Sequence, residues 1–350
     1  MENSFNLSII IAICFLIFKF AELKITQKEL IPLKDLFKEC FIVFISCEKE
    51  EIPISPHTPG NVLTNQIELG IDYKYQVFYD LGSNSIISDN LKTDWDLGFE
   101  SSNDGYHIIL NSSTYGALSY LDNIPFNDII DPLNLSWSWD NPSGDLDSSA
   151  FGDSRNLSGF YVLDRGFDLN GISRGYKKIL IDSISSDFYQ ISYSNLDNSS
   201  FNSLKLYKDP SVNFTCFSFD SNQIIDIEPS FSDWDLLFSQ YTHLYNDTTT
   251  PAYLVTGVSS NLEILVAVDT SNDFNDINYS MINEFSFNDN RDAIGFDWKE
   301  YDFNGGSYSI NSNINYIIMD KQQKYFKLRF TDFYNSNGDK GYPTFEIQEL

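Results

Sequence analysis

Paired carboxylates are the chemistry this sequence offers most often: Asp94 with Asp96, Asp164 with Asp168, and Asp233 with Asp235. Two carboxylates on one strand face stand roughly 6.5–7 Å apart, a separation that a glycosidase could use. The chain holds 50 Asp and Glu residues, so abundance alone produces such pairs, and a solvated strand face is the expected reading. The stretch from Asp164 to Gly171 offers Asp164, Asp168 and Asn170 as oxygen donors for Ca²⁺, but it lacks the spacing and the closing Glu of an EF-hand. A turn whose short polar side chains satisfy their own backbone is the other reading. His57, His107 and His243 are scattered too widely for a zinc pattern. Cys216 stands alone in the body of the chain, where it reads as a small buried hydrophobe. No phosphate loop, dinucleotide fingerprint, nucleophile elbow or metallohydrolase helix is present, which points to binding and not catalysis.

The elements that position these residues are strands. The chain has 350 residues, 42% hydrophobic and 16% aromatic, ample for a packed core. Its 21 Tyr and 29 Phe, set among frequent Asn, Ser and Asp, predict an all-β, largely antiparallel protein with many turns. The formal net charge of −28 arises wholly from Cys47 onward, the earlier residues being balanced. Such a surface repels nucleic acid and anionic lipid, which excludes DNA and RNA as partners.

Two apolar runs open the chain. Leu7–Phe18 has the length of a signal-peptide core and is short for a membrane span. The second, Cys40–Ser46, follows the charged Lys34–Glu39 and ends in a small residue before Cys47, like a bacterial lipoprotein signal. Cys47 is then the lipidated residue, residues 1–46 the leader and residues 47–60, with Pro53, Pro56 and Pro59, an extended tether. Two such runs exceed what a lipoprotein needs, so a true start near Leu30 to Leu33 is expected. Residues 61–350 form the folded part, with lobes expected at 61–225 and 226–350.

Within that part, Ile67, Leu69 and Ile71, then Tyr73, Tyr75, Val77 and Tyr79, alternate with polar positions as in a strand. Asp94-Trp95-Asp96-Leu97-Gly98-Phe99 recurs as Asp233-Trp234-Asp235-Leu236-Leu237-Phe238, too distant for propeller blades. Equivalent strands in two β lobes are expected, with Trp, Leu and Phe on one face and both aspartates on the other. Residues 113–156 read as a surface excursion. Residues 261–269 fit a strand or a short helix, and residues 274–294 a helical turn or a loop over a pocket. At the C-terminus, Phe326, Leu328 and Phe330 alternate with Lys327, Arg329 and Thr331; Asn335–Gly341 makes a turn, and Phe345 and Ile347 share one face of the returning strand.

Tyr325–Asn335 and Lys340–Glu346 resemble the C-terminal hairpin of HmuY-family proteins, the haem-binding surface lipoproteins of Bacteroidetes. The Trp-Asp strand and its follower carry the same resemblance, extending it from about Asn61 to Leu350. The resemblance implies an HmuY-type β fold and a haemophore-like role in iron acquisition. A haem lies between β elements, held by axial side chains and stacked on aromatics. The family histidine position falls near Tyr301, whose phenolate can bind ferric haem. Met281 and His243 complete the candidate ligands that the resemblance suggests. It further implies haem or haem-carrying host proteins and a TonB-dependent receptor as partners. The location implied is a lipid anchor in the outer membrane, facing the surface or the periplasm, or release from the cell. The alternative is a surface lipoprotein that binds a glycan or another nutrient on exposed Tyr and Trp.

Overall fold

The computed structural model describes residues 58–155, 158–245 and 251–350. The leader and Cys47 lie outside the described residues. Strands β1 (Leu63–Gln66), β2 (Tyr75–Asp80) and β3 (Ser85–Leu91) come first. Next are β4 (Leu97–Glu100), β5 (Ile108–Leu110), β6 (Ala117–Leu121), β7 (Phe160–Asp164), β8 (Tyr176–Ile184), β9 (Phe188–Ser194), β10 (Asn202–Tyr207), β11 (Phe214–Ser218) and β12 (Gln223–Ile225). The chain ends with β13 (Leu236–Leu244), β14 (Ala252–Ser260), β15 (Leu265–Asp269), β16 (Lys299–Asp302), β17 (Ser307–Ile310), β18 (Asn315–Met319), β19 (Tyr325–Tyr334) and β20 (Lys340–Glu349). Among the described residues the helices are short 3₁₀ turns, and the strand pairings are antiparallel. The protein is all-β, as its aromatic and turn-rich composition predicts.

Four sheets make two sandwiches. Sheet β1-β20-β19-β18-β15 faces sheet β14-β13-β2-β3 across a core containing Tyr79, Phe238, Trp298, Phe330 and Phe345. Sheet β10-β9-β8-β7-β6 faces sheet β12-β11-β4-β5 across Phe99, Tyr161, Tyr189, Tyr193 and Phe217. The second sandwich is built from chain that lies between β3 and β13. A smaller cluster of Phe78, Trp95, Cys216, Ile227 and Trp234 draws on both sandwiches.

The two Trp-Asp copies occupy matching places. The Asp96 N–H donates to Phe217 O at 2.8 Å, and the Asp235 N–H to Tyr79 O at 2.9 Å. The Asn111 side chain donates to Trp95 O at 2.8 Å, and that of Asn261 to Trp234 O at 2.8 Å. Each aspartate also caps a turn of the neighbouring hairpin: Asp96 accepts the Phe219 N–H and Asp235 the Leu81 N–H, both at 2.8 Å. This corrects the solvated-face reading for half of each pair, because Asp96 and Asp235 are both buried. A carboxylate two positions from a less buried one lies inside because backbone donors needed an acceptor there.

Two further expectations change in the same way. Lys327 alternates with the apolar positions of β19 and is nevertheless buried, its ammonium donating to Phe274 O at 2.6 Å and Ile277 O at 2.8 Å. The segment from Phe274 through the 3₁₀ turn Tyr279–Glu284 covers that face of β19. Residues 113–156 are only partly an excursion, since β6 pairs with β7 inside the second sandwich. Residues 265–269 are a strand, and the C-terminal hairpin forms as its alternation and turn residues dictate. Gly341 closes that hairpin at φ +94°, where a Cβ would stand 2.1 Å from Gly70 O.

Candidate functional site

An aromatic surface forms where β14 meets the β16–β17 hairpin. β14 is a sheet edge, and residues around Gly295 are laid along it: the Val258 N–H donates to Gly295 O at 3.0 Å, and the Gly295 N–H to Val258 O at 3.1 Å. A Cβ on Gly257 would meet Gly295 O at 2.4 Å, so glycine permits this close approach. The contact carries Phe296 to the His243 ring, with centroids 5.1 Å apart and edge-on, and Lys299 to Thr256 O, which accepts from its ammonium. His243 lies on β13 opposite Tyr253 of β14. Tyr301 lies on β16 opposite Tyr308 of β17, their rings 4.9 Å apart, and Phe303 sits 5.2 Å from Tyr301. Tyr245, Tyr253, Tyr301 and Phe303 are exposed, the last at 90%.

Beneath this surface the groups are buried and electrostatically tuned. Lys299 is 8% exposed, with its ammonium 4.3 Å from the Trp298 ring and 5.1 Å from that of Phe333. Burial pushes its pKa down to about 7, partly opposed by the negative charge of Asp297. Burial raises the Tyr308 phenol above its ordinary value. It also raises Asp292, whose carboxylate is favoured by His243 nearby. His243 Nδ1 is buried and finds no hydrogen-bond partner among the described residues. The His243 nitrogen is enclosed, whereas the exposed Tyr301 phenol is a competent iron donor, and the surrounding rings offer flat apolar area for a planar guest. Tyr301 and the rings around it therefore fit one face of a haem, on a surface and not inside a closed pocket.

His243 and Tyr301 are linked through shared neighbours, since Tyr253, opposite His243, also lies close enough to Tyr308 to raise its pKa. Met281 belongs to another face. Its turn packs through Ile282 with Ala267 and Ile317, whereas Val266, Tyr316 and Ile318 of the same strands face the first core. The thioether contacts the Asn278 side-chain amide at 3.5 Å. His107 is engaged on both sides, by Glu100 at 2.5 Å and Asp147 at 3.1 Å. In the Asp164–Gly171 turn, Asp168 accepts the Asn170 and Ile172 N–H groups and Asp164 that of Gly166, which is the self-satisfying turn. Sequence reasoning missed Tyr253 and Lys299. Tyr253 was readable from the alternation in residues 252–257; nothing local marks Lys299 as buried.

The half-open cleft lined by Trp95, Phe214 and Trp234, about 120 Å³, is far below the roughly 300–1,000 Å³ usual for organic ligands, so a porphyrin does not enter it.

A family model described as HmuY protein matches residues 72–347. Solved structures that align with the chain include a Bacteroides vulgatus protein described as a putative HmuY-like haem-binding protein, at 12% identity and TM-score 0.22, covering 82% of this chain and 90% of that one. The apo HmuY analogue of Tannerella forsythia aligns at 9% identity and TM-score 0.25, covering 84% and 99%. Apo PinO, given as from Porphyromonas gingivitis, aligns at 8% identity and TM-score 0.28, covering 83% and 97%. No curated protein matches the chain.

Proposed function

The chain belongs to the HmuY family, and from that membership we propose that it captures haem, without catalysis, on the aromatic surface at β14 and the β16–β17 hairpin. The observation that carries this reading is the exposed Tyr301 phenol set among the rings of Phe303 and Tyr308. In this reading Tyr301 and His243 are the candidate iron ligands, and Tyr253, Phe303 and Tyr308 supply stacking area. Met281, on its separate face, is the third candidate.

Lipid on Cys47 anchors the protein to the outer membrane of a Gram-negative cell, and residues 48–60 form the tether. That tether ends on the last strand, where the Gly60 N–H donates to Glu349 O at 2.8 Å. Among the described residues no helix is long and apolar enough to cross a membrane. Haem would come free or from host haem proteins and pass to a TonB-dependent receptor.

Absorption titration with haemin tests this. A Soret shift that saturates in the micromolar range is expected, weakened at least tenfold in Tyr301→Phe and His243→Ala and unchanged in Met281→Ala. No shift in the wild-type protein overturns the reading in favour of a glycan or another nutrient. Loss in Met281→Ala alone would move the site to the Tyr279–Glu284 turn.

A further inference from the structure

Asparagine is followed by glycine at three places, Asn170-Gly171, Asn304-Gly305 and Asn337-Gly338, each time in a turn of the same make. In all three, the residue two positions before the asparagine accepts the asparagine N–H on its side-chain oxygen: Asp168 Oδ1 at 2.8 Å, Asp302 Oδ1 at 2.8 Å and Asn335 Oδ1 at 2.9 Å. All three asparagines are exposed, so exposure does not distinguish them.

Loop length separates them. The Asp168 N–H donates to Ile172 O at 2.8 Å and the Asn335 N–H to Asp339 O at 2.9 Å, so each of these turns closes between residues four positions apart. Each is also pinned by the glycine that follows its asparagine: the Gly171 N–H donates to Asp168 O at 3.1 Å and the Gly338 N–H to Asn335 O at 3.0 Å, with φ at +75° and +84°. The β16–β17 turn holds one residue more, since Asp302 pairs with Ser307. Its pinning bond therefore comes from Gly306, at 2.7 Å from Asp302 O and with φ +70°, and the Gly305 N–H is left with no acceptor among the described residues.

A free main-chain nitrogen on a residue without Cβ, next to an exposed side-chain amide, is a nucleophile with an open path to that amide. We propose that Asn304 is a site of spontaneous covalent modification, deamidation through a cyclic imide, with water as the co-reactant. The Gly305 N–H gives its proton to solvent base, and the nitrogen bonds to Asn304 Cγ. The bond from Cγ to the side-chain nitrogen breaks, and that nitrogen leaves as ammonia after taking a proton back from solvent. Water then opens the five-membered imide. Cleavage of its bond to Cγ leaves aspartate; cleavage of its bond to the main-chain carbonyl carbon leaves isoaspartate, with one extra carbon in the backbone. Either product adds a negative charge beside Phe303, which is 90% exposed and has its ring 5.2 Å from that of Tyr301. At Asn170 and Asn337 the same attack first requires a hydrogen bond of the turn to break. This chemistry needs no haem and stands without that reading.

The test is incubation of the folded protein in mildly alkaline buffer, with its tryptic peptides followed over time by fragment-ion mass spectrometry; the three asparagines fall in three different peptides. Asn304 should convert at least about fivefold faster than Asn170 or Asn337, the factor that one net backbone hydrogen bond is worth, with isoaspartate among its products. In denaturant, where the turns are gone, the three rates should converge. Deleting Gly306 makes a turn closed between residues four positions apart, so it should bring Asn304 down to the rate of the other two while the far-UV spectrum stays native. Equal rates in the folded protein, a faster site at Asn170 or Asn337, a difference that persists in denaturant, a product that is aspartate alone, or an unchanged Asn304 rate after the deletion would each overturn the proposal.

Discussion

Asp235 and Lys299 show how far burial moves individual groups. Burial pushes the Asp235 carboxyl up to about 7, with Asp80 and Asp320 adding and the Leu81 N–H opposing. The folded state thus holds that proton more tightly than the unfolded chain, so its stabilising contribution is full in acid and is lost as pH rises through about 7. Lys299 has the opposite sign. Lowered from 10.5 to about 7, it contributes stability in alkali that is lost as pH falls through about 7. Denaturant midpoints between about pH 5 and 9 should separate them: Asp235→Asn flattens the fall in stability from pH 5 up to about 7 and Lys299→Met the fall from pH 9 down to about 7, each by roughly 1–3 kcal/mol. Asp96 marks the contrast between the copies, because it is paired with Arg165 at 2.9 Å and Arg174 at 3.2 Å. Removing it in Asp96→Ala leaves two largely buried guanidiniums sharing Asp220 as their carboxylate partner, and a loss of about 3 kcal/mol is expected from chemical denaturation. None of this was visible in the sequence, where Asp94 and Asp96 look alike; tertiary contact with Phe219 and Arg165 distinguishes them.

At the scale of elements, the C-terminal hairpin was legible because its determinants are local. Phe326, Leu328 and Phe330 alternate, and Asn335 accepts the Asn337 and Asp339 N–H groups, each at 2.9 Å. The covering of Lys327 was not legible, since it depends on a 3₁₀ turn brought from elsewhere in the chain. Gly341 joins both levels, required by its own φ and by the backbone of Gly70. Gly341→Ala should therefore cost at least about 1–3 kcal/mol, measured as a lowered denaturation midpoint, whereas Gly338→Ala, with open space around its Cβ position, should pay only the strain of its positive φ. The site's elements were half readable. The family resemblance points to Tyr301 and the alternation in residues 252–257 makes Tyr253 readable, but the edge contact of Gly295 with β14 follows from a Cβ-free approach between segments distant in sequence.

For the whole molecule, the duplication is the main architectural fact. Its sequence signature is the repeated Trp-Asp hexapeptide, and the shared pattern of Asn111 and Asn261 becomes apparent only with the hairpins assembled. The second sandwich is continuous from β4 to β12, while the first needs β1–β3 with β13–β20. Excised residues 92–228 should therefore fold cooperatively, and residues 229–350 alone, deprived of β1–β3, should not. Far-UV circular dichroism and thermal melting of the two fragments check this, and a folded 229–350 would contradict the strand assignment. The most direct test of the central claim is an iron anomalous map from crystals grown with haemin. The account predicts a single iron peak at the aromatic surface, within bonding distance of Tyr301 or His243; a peak beside Met281, or elsewhere, would contradict it.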